Sequence, residues 1–257
     1  MRNMEKISFV IPCYRSEPTI GTVTKEIIDI MKPLQYRYEI VLVNDGSPDN
    51  VWNVITALCA EHQNIKGINL TRNFGQPNAV MAGYSEAGGD YIITLDDDGQ
   101  SPADTAPEMV SKLKENDYDV VYGVCEQAEF GAFRQLGSKL NGIMAHQLFC
   151  RPKGVRIISF SIMKRQTAQE IIKYKQPNPY MAGLVHRAAK NIGYLPVKHR
   201  GRIEGTSGYT LKKLARLWMN GLLFGLGGKN TGKQVKGTPQ YIIREILNGE
   251  VHHFEDD

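Results

Sequence analysis

Residues 91–102 read YIITLDDDGQSP, a run of apolar and β-branched side chains that empties directly into three consecutive carboxylates, Asp96, Asp97 and Asp98. Such a run reads as a buried strand delivering charge to its carboxyl end. Carboxylates held this close repel one another unless a cation neutralises them. Hard oxygen ligands of this kind suit Mg²⁺ or Mn²⁺, which bind through one or two carboxylates and complete their shells with water and phosphate. Asp-Asp-Asp-Gly also fits a polar turn, since Asp and Gly are favoured there. The apolar run before it weighs against a plain turn, because ligand sites in open α/β sheets lie beyond the carboxyl ends of the strands.

The stretches on either side repeat one pattern. Residues 6–12 and 38–43 are β-rich, and residues 19–31 between them have helical spacing, which makes a β-α-β unit. Further helices are expected over 50–61, 76–87 and 104–115, and strands over 65–70, 90–95 and 119–124. This alternation predicts an α/β fold, a Rossmann-like and mostly parallel sheet flanked by helices with right-handed crossovers. Each strand ends in chemically pointed residues: Cys13-Tyr14-Arg15-Ser16-Glu17, then Asn44-Asp45-Gly46-Ser47-Pro48-Asp49, then Thr71-Arg72-Asn73-Phe74-Gly75. Tyr14 can pack on a base or ribose, Asp45 can accept a hydrogen bond from either, and Arg72 can meet a phosphate or structure its loop. Asp45-Gly46 equally fits a turn, and Asp49 a helix N-cap. No GxGxxG follows the first strand and no GxxxxGK[ST] occurs, so neither the usual dinucleotide fold nor a P-loop is supported.

Among the 257 residues, 42% are hydrophobic, enough for a sizeable core. The net charge is only +4, but it is unevenly spread: residues 1–130 hold 10 Lys and Arg against 20 Asp and Glu, whereas residues 131–216 hold 17 against two, Glu170 and Glu204. An acidic half beside a basic half fits a metal-holding part and a part that faces an anion. Cys13, Cys59, Cys125 and Cys150 are widely spaced without a CxxC pair, so neither a zinc site nor a disulfide framework is indicated and reduced, cytosolic thiols are expected. The apolar N-terminal segment is cut short by Pro12, too brief for a signal peptide or a membrane span. These features predict a cytoplasmic protein.

VIPCYRSE, VNDGSPD, TRNFGQPNAVMAGYSEAGGDYIITLDDDGQSP and VVYGV, in that order, resemble a glycosyltransferase of family 2, nearest to the polyprenyl-phosphate hexosyltransferases typified by dolichol-phosphate mannose synthase. The resemblance covers residues 6–220 and implies a GT-A fold, a nucleotide-diphosphate sugar donor, a divalent metal (Mg²⁺ or Mn²⁺) and inversion at the anomeric carbon. It matches Asp96 and Asp98 to the two carboxylates of the metal motif and Gln100 to the glutamine that follows, and it places Asp45 and Glu17 near the donor nucleotide. Pro12, Tyr14, Glu17, Asp45, Arg72 and Asp96 then form the donor side. Asp98 and Arg202 are the catalytic candidates together with Asp97, which is either structural or a reserve base. A metal bridging the diphosphate would stabilise the charge that builds as the sugar leaves.

In the basic half a helix is expected over 130–150, with Arg134, Ser138 and Lys139 on or near one face. Strands over 155–164 and 192–199 and helices over 166–174 and 179–190 follow. The family's H-x-x-R-x-x-G-x-S-x-Y segment is matched by His199, Arg202, Gly205, Ser207 and Tyr209, which the resemblance places over the active site. Arg134, Ser138, Arg200, Arg202 and Ser207 are the acceptor-phosphate candidates. Between residues 131 and 203 the only carboxylate is Glu170. A sugar-hydroxyl acceptor needs a general base, whereas a phosphate is already anionic and nucleophilic. The composition therefore favours a lipid phosphate. A glycan or lipid-linked saccharide hydroxyl is the alternative, with Asp97 or His199 as base, and a non-catalytic nucleotide-sugar-binding protein is a third reading.

Residues 1–226 are expected to form the glycosyltransferase domain, with a donor and metal half over 1–130 and an acceptor half over 131–226. Residues 227–257 read as a Gly/Lys-rich linker, a helix over 239–248 that docks on the domain or on a second subunit of a homo-oligomer, and an acidic tail. The apolar stretch 211–226 is too short and too charged to span a bilayer. Either it lies on a membrane surface with Lys212, Lys213 and Arg216 at the headgroups, or it packs as a core helix. No nucleic acid is expected as a partner.

Overall fold

A computed structural model describes residues 5–34, 36–126, 155–177, 179–198, 200 and 240–248. The chain opens with β1 (Lys6–Cys13), α1 (Ile20–Met31), β2 (Arg37–Asn44), α2 (Val51–Glu61), β3 (Ile65–Leu70), α3 (Gln76–Glu86) and β4 (Tyr91–Thr94). A 3₁₀ turn (Ala103–Thr105), α4 (Ala106–Glu115) and β5 (Val120–Glu126) follow. Next come β6 (Val155–Lys164), α5 (Arg165–Ile172), α6 (Met181–Ala188), β7 (Ile192–Pro196) and β8 (Ile243–Leu247). Among the described residues the strands form one sheet in the order β7-β5-β6-β4-β1-β2-β3-β8.

The centre of that sheet is parallel, because each of β1, β2 and β3 is returned to the same edge by a helix: β1 pairs in parallel with β2 and β4, and β2 with β3. Strand β5 is parallel to β7, whereas β6 runs antiparallel to both β4 and β5. Alternation along the strands sends side chains to two layers. Ile7, Phe9, Ile11, Ile40 and Leu42 pack with α1, α2 and α4 on one face, and Val10, Val41 and Val43 pack with α3, α5 and α6 on the other. Burial on both faces explains why these strands read as near-continuous apolar runs.

At the amino edge of the sheet Glu39 is 7% exposed and accepts hydrogen bonds from Lys6 Nζ (2.6 Å), Ser8 Oγ (2.5 Å) and the Gly88 amide (2.6 Å). Burial alone would raise its pKa, but the three donors outweigh burial and hold the carboxyl below its ordinary value.

The mostly parallel sheet with flanking helices is as the sequence predicts, and element bounds agree within a few residues. The helix expected over 239–248 is wrong: Ile243–Leu247 is a strand, antiparallel to β3, with Ile68 opposite Ile246 and Gly67 opposite Leu247. Its isoleucines satisfy either spacing, and the open edge of β3 decides between them. Asn248, at φ 55°, ends the strand and gives its amide nitrogen to the carbonyls of Cys59, His62 and Ile65. The helix expected over 130–150 and the stretch 211–226 lie outside the described residues. Among the described residues no helix is long and apolar enough to cross a membrane.

Candidate functional site

The loops after β1, β2, β3 and β4 meet at the carboxyl edge of the sheet, where hydrogen bonds knit them together. Arg15 N donates to Ser47 Oγ (2.8 Å) and Glu17 N to Asp49 Oδ2 (3.0 Å), while Asn50 N donates to Glu17 Oε2 (3.0 Å). The Glu17 carboxylate thus serves the start of α2 from the neighbouring loop. Tyr14 is 42% exposed, with the Arg15 guanidinium 5.6 Å from its ring centroid, and Arg15 takes φ 60°. A ring presented this way at a strand end offers a stacking face. Pro12 stays buried within β1, opposite Val43.

Asp45 is 2% exposed and both its oxygens are engaged, accepting the Phe74 N–H at 2.7 Å and the Gly75 N–H at 2.9 Å. Burial pushes its pKa up to about 6, although the two N–H donors act the other way. This approach depends on Gly46, at φ 56°, where a Cβ would lie 2.2 Å from the Arg72 carbonyl carbon. Arg72 turns its guanidinium over the Phe74 ring, 4.0 Å from the centroid, and donates to the Asn73 carbonyl. In this geometry Asp45 and Arg72 shape the loop that leads into α3.

The three carboxylates of the acidic loop have different surroundings. Asp97 Oδ2 accepts the Tyr14 N–H (3.0 Å) and its carbonyl accepts Thr19 Oγ1 (2.6 Å), which fastens the middle residue to the β1 loop. Burial pushes the Asp97 pKa up to about 6. Asp96 Oδ1 accepts from Gln76 Nε2 (2.8 Å) in the first turn of α3, and Asp98 Oδ1 accepts the Gln100 N–H (3.1 Å). Among the described residues no three His, Cys, Asp or Glu side chains form a metal cage. Two carboxylates and an amide oxygen instead fit a hard cation whose remaining ligands come from water and phosphate.

The structure therefore brings Tyr14, Glu17, Asp45, Arg72, Asp96, Asp97, Asp98 and Gln100 to one edge. Arg200 arrives there too, but its guanidinium pairs with Glu26 and Asp104. Arg134, Ser138, Arg202 and Ser207, expected at an acceptor phosphate, lie outside the described residues. Gln76 and Thr19 escaped the sequence reading; the signal for Gln76 was its place at the start of a helix that follows a strand to this same edge.

Residues 8–172 match the model of the family described as glycosyl transferase family 2. Two curated relatives are named undecaprenyl-phosphate 4-deoxy-4-formamido-L-arabinose transferase. The one from Shewanella sediminis is 33% identical over 84% of this chain, and the one from Yersinia enterocolitica is 32% identical over 83%. The chain spans 65% of the length of each. The solved glucosyl-3-phosphoglycerate synthase of Mycobacterium tuberculosis, 17% identical, superposes with a TM-score of 0.62 over 89% of this chain and 83% of its own. Its complex with Mn²⁺, UDP and glucosyl-3-phosphoglycerate, also 17% identical, gives 0.60 over 89% and 82%. The sheet is thus of the GT-A kind, and with the family model covering its loops from β1 through α5, the chain belongs to glycosyl transferase family 2.

Proposed function

We propose that this chain transfers a sugar from a nucleoside diphosphate to a polyprenyl phosphate, inverting the anomeric carbon. The observation that carries the reading is the division among the three carboxylates. Asp97 is bound into the loop after β1, whereas the flanking Asp96 and Asp98, with the Gln100 amide oxygen, make up a donor set for Mg²⁺ or Mn²⁺. Such a cation, once bound with the diphosphate, supplies neutralising charge for the departing nucleoside diphosphate. The exposed Tyr14 ring offers a platform for the base, and the loop braced by Asp45 and Arg72 sets the start of α3 beside the acidic loop.

The acceptor is supported from two sides. The relatives from Shewanella sediminis and Yersinia enterocolitica are named for undecaprenyl phosphate. Asp97, a candidate base for a hydroxyl acceptor, has one oxygen, Oδ2, occupied by the Tyr14 N–H. A phosphate oxygen needs no base: it attacks the anomeric carbon as the bond to the nucleoside diphosphate breaks. Arg134, Ser138, Arg202 and Ser207 are the residues assigned to hold that phosphate, and the chain would work against a membrane surface, where such lipids reside.

Incubating the chain with Mn²⁺, radiolabelled UDP-, GDP- or dTDP-sugars and a short polyprenyl phosphate tests the reading. Label should pass into the organic phase as an acid-labile lipid phosphate, and only when the cation is present. Absence of lipid product with every donor overturns it, and transfer to an added glycan instead moves the assignment to a hydroxyl acceptor.

A further inference from the structure

We infer that Arg200 is a positioning residue for the acidic loop, not a ligand of the acceptor phosphate. Its main chain forms a closed pair with Gln100: Arg200 N donates to the Gln100 carbonyl (3.2 Å), and Gln100 Nε2 donates to the Arg200 carbonyl (3.1 Å). Gln100 N in turn donates to Asp98 Oδ1 (3.1 Å), so the position of residue 200 is relayed to a carboxylate of the acidic loop. The same pair fixes the orientation of the amide. With Nε2 directed at the Arg200 carbonyl, Oε1 is the atom of that group able to meet a cation.

The side chain explains why residue 200 stays there. Its guanidinium bridges two elements, with Nη1 2.6 Å from Glu26 Oε1 on α1 and Nη2 3.0 Å from Asp104 Oδ2 in the 3₁₀ turn. Both elements border the acidic loop: α1 follows Thr19, which holds the Asp97 carbonyl, and the turn follows Gln100 by three residues. The Arg200 side chain is 39% exposed and those of Glu26 and Asp104 are 27% and 59% exposed, so the pairs contribute little to global stability. Their effect is local order. A planar fork can serve two carboxylates on different elements at once, whereas a lysine presents a single point charge. A guanidinium engaged in this way points its charge at α1 and the turn.

The inference rests on the metal reading above, and the test separates the two. Mn²⁺ binding in the presence of UDP is followed by electron paramagnetic resonance for wild type, Arg200→Gln, Arg200→Lys and the Glu26→Gln/Asp104→Asn pair. Loss of an outer-shell support typically weakens a metal about tenfold or more. Arg200→Gln and the paired carboxylate variant should each show about that loss, Arg200→Lys should recover only part of it, and adding Arg200→Gln to the pair should weaken binding no further. Melting temperatures without metal should stay close to wild type for all of them. If Arg200→Gln does not fold, the carboxylate pair poses the same question from the other side. Wild-type Mn²⁺ affinity in Arg200→Gln, or in the pair, overturns the inference alone; a wild type that binds no Mn²⁺ overturns it together with the metal reading.

Discussion

Gln76 donates its side-chain amide to Asp96 across the gap between the first turn of α3 and the end of β4, at 2.8 Å. A neutral donor at that point tempers the repulsion among Asp96, Asp97 and Asp98. Gln76→Glu would put a fourth carboxylate there. Its melting temperature in EDTA should fall by about 2–4 °C, the shift expected of roughly 1 kcal/mol in a chain of this size. Excess Mn²⁺ should restore most of that loss. An equal deficit with and without Mn²⁺ would show that Asp96 does not face a cation.

Asp98→Ala should leave the fold intact, since the Gln100 N–H that Asp98 Oδ1 accepts belongs to the same loop, two residues away. Its transfer rate should drop by more than about 100-fold, beyond what loss of an outer-shell group causes. Comparable thermal stability with transfer near wild type would remove Asp98 from the reacting centre.

Asp45→Asn exchanges an oxygen for an amino group that cannot accept one of the two N–H bonds from Phe74 and Gly75. One buried donor is then left without a partner, at a cost of roughly 1–3 kcal/mol. Urea denaturation reads this directly. Unchanged stability would mean that these backbone donors find other acceptors and that the carboxylate is not their anchor.

Gly46→Ala forces a side chain into the left-handed region, at about 1–2 kcal/mol from conformation alone. The Cβ would also meet the Arg72 backbone at 2.2 Å, so the β2 and β3 loops must separate. Both denaturation midpoint and nucleotide affinity should fall. A stable variant with unaltered affinity would show that the donor side tolerates the loops moving apart.

Glu39 carries a pH signature. Its folded pKa lies below the ordinary 4.5, so its stabilising contribution is present above that value and is lost as pH falls through the folded pKa. Glu39→Gln removes the ionised acceptor for Lys6, Ser8 and Gly88 and should cost roughly 1–3 kcal/mol at pH 7. The gap between variant and wild type should narrow on acidification below about pH 4.5. A constant gap from pH 3.5 to 7 would exclude the carboxylate as its source.

Much of this was legible in the chain itself. Strands β1 to β4 stand out because apolar runs buried on both faces stop abruptly at Pro12, Asn44, Thr71 and Asp96, and those stops share one edge. Asp97 could be singled out as the ambiguous carboxylate, and it is the one tied to Tyr14 N. Asp45 was harder, because whether its oxygens meet a ligand or a neighbouring loop depends on how closely Gly46 lets that loop approach. The ion pairs of Arg200 could not be read from the chain alone, because its partners on α1 and the 3₁₀ turn lie 174 and 96 positions away in sequence. No local pattern encodes such a pairing. Ile242, Ile243 and Ile246 misled because spacing alone cannot report that β3 offers an unfilled edge.

That filled edge has a consequence for how the molecule is made. Translation delivers β1 to β4 and their helices well before β8, yet the outer side of β3 and the last carbonyls of α2 wait for Ile243 through Asn248. Until the ribosome has supplied them, the nascent first half carries an exposed parallel strand, an invitation to intermolecular pairing. Strand β8 thus acts as a late clasp on strands that emerge before it, and truncations that remove it should shift the product from folded protein toward aggregate during synthesis.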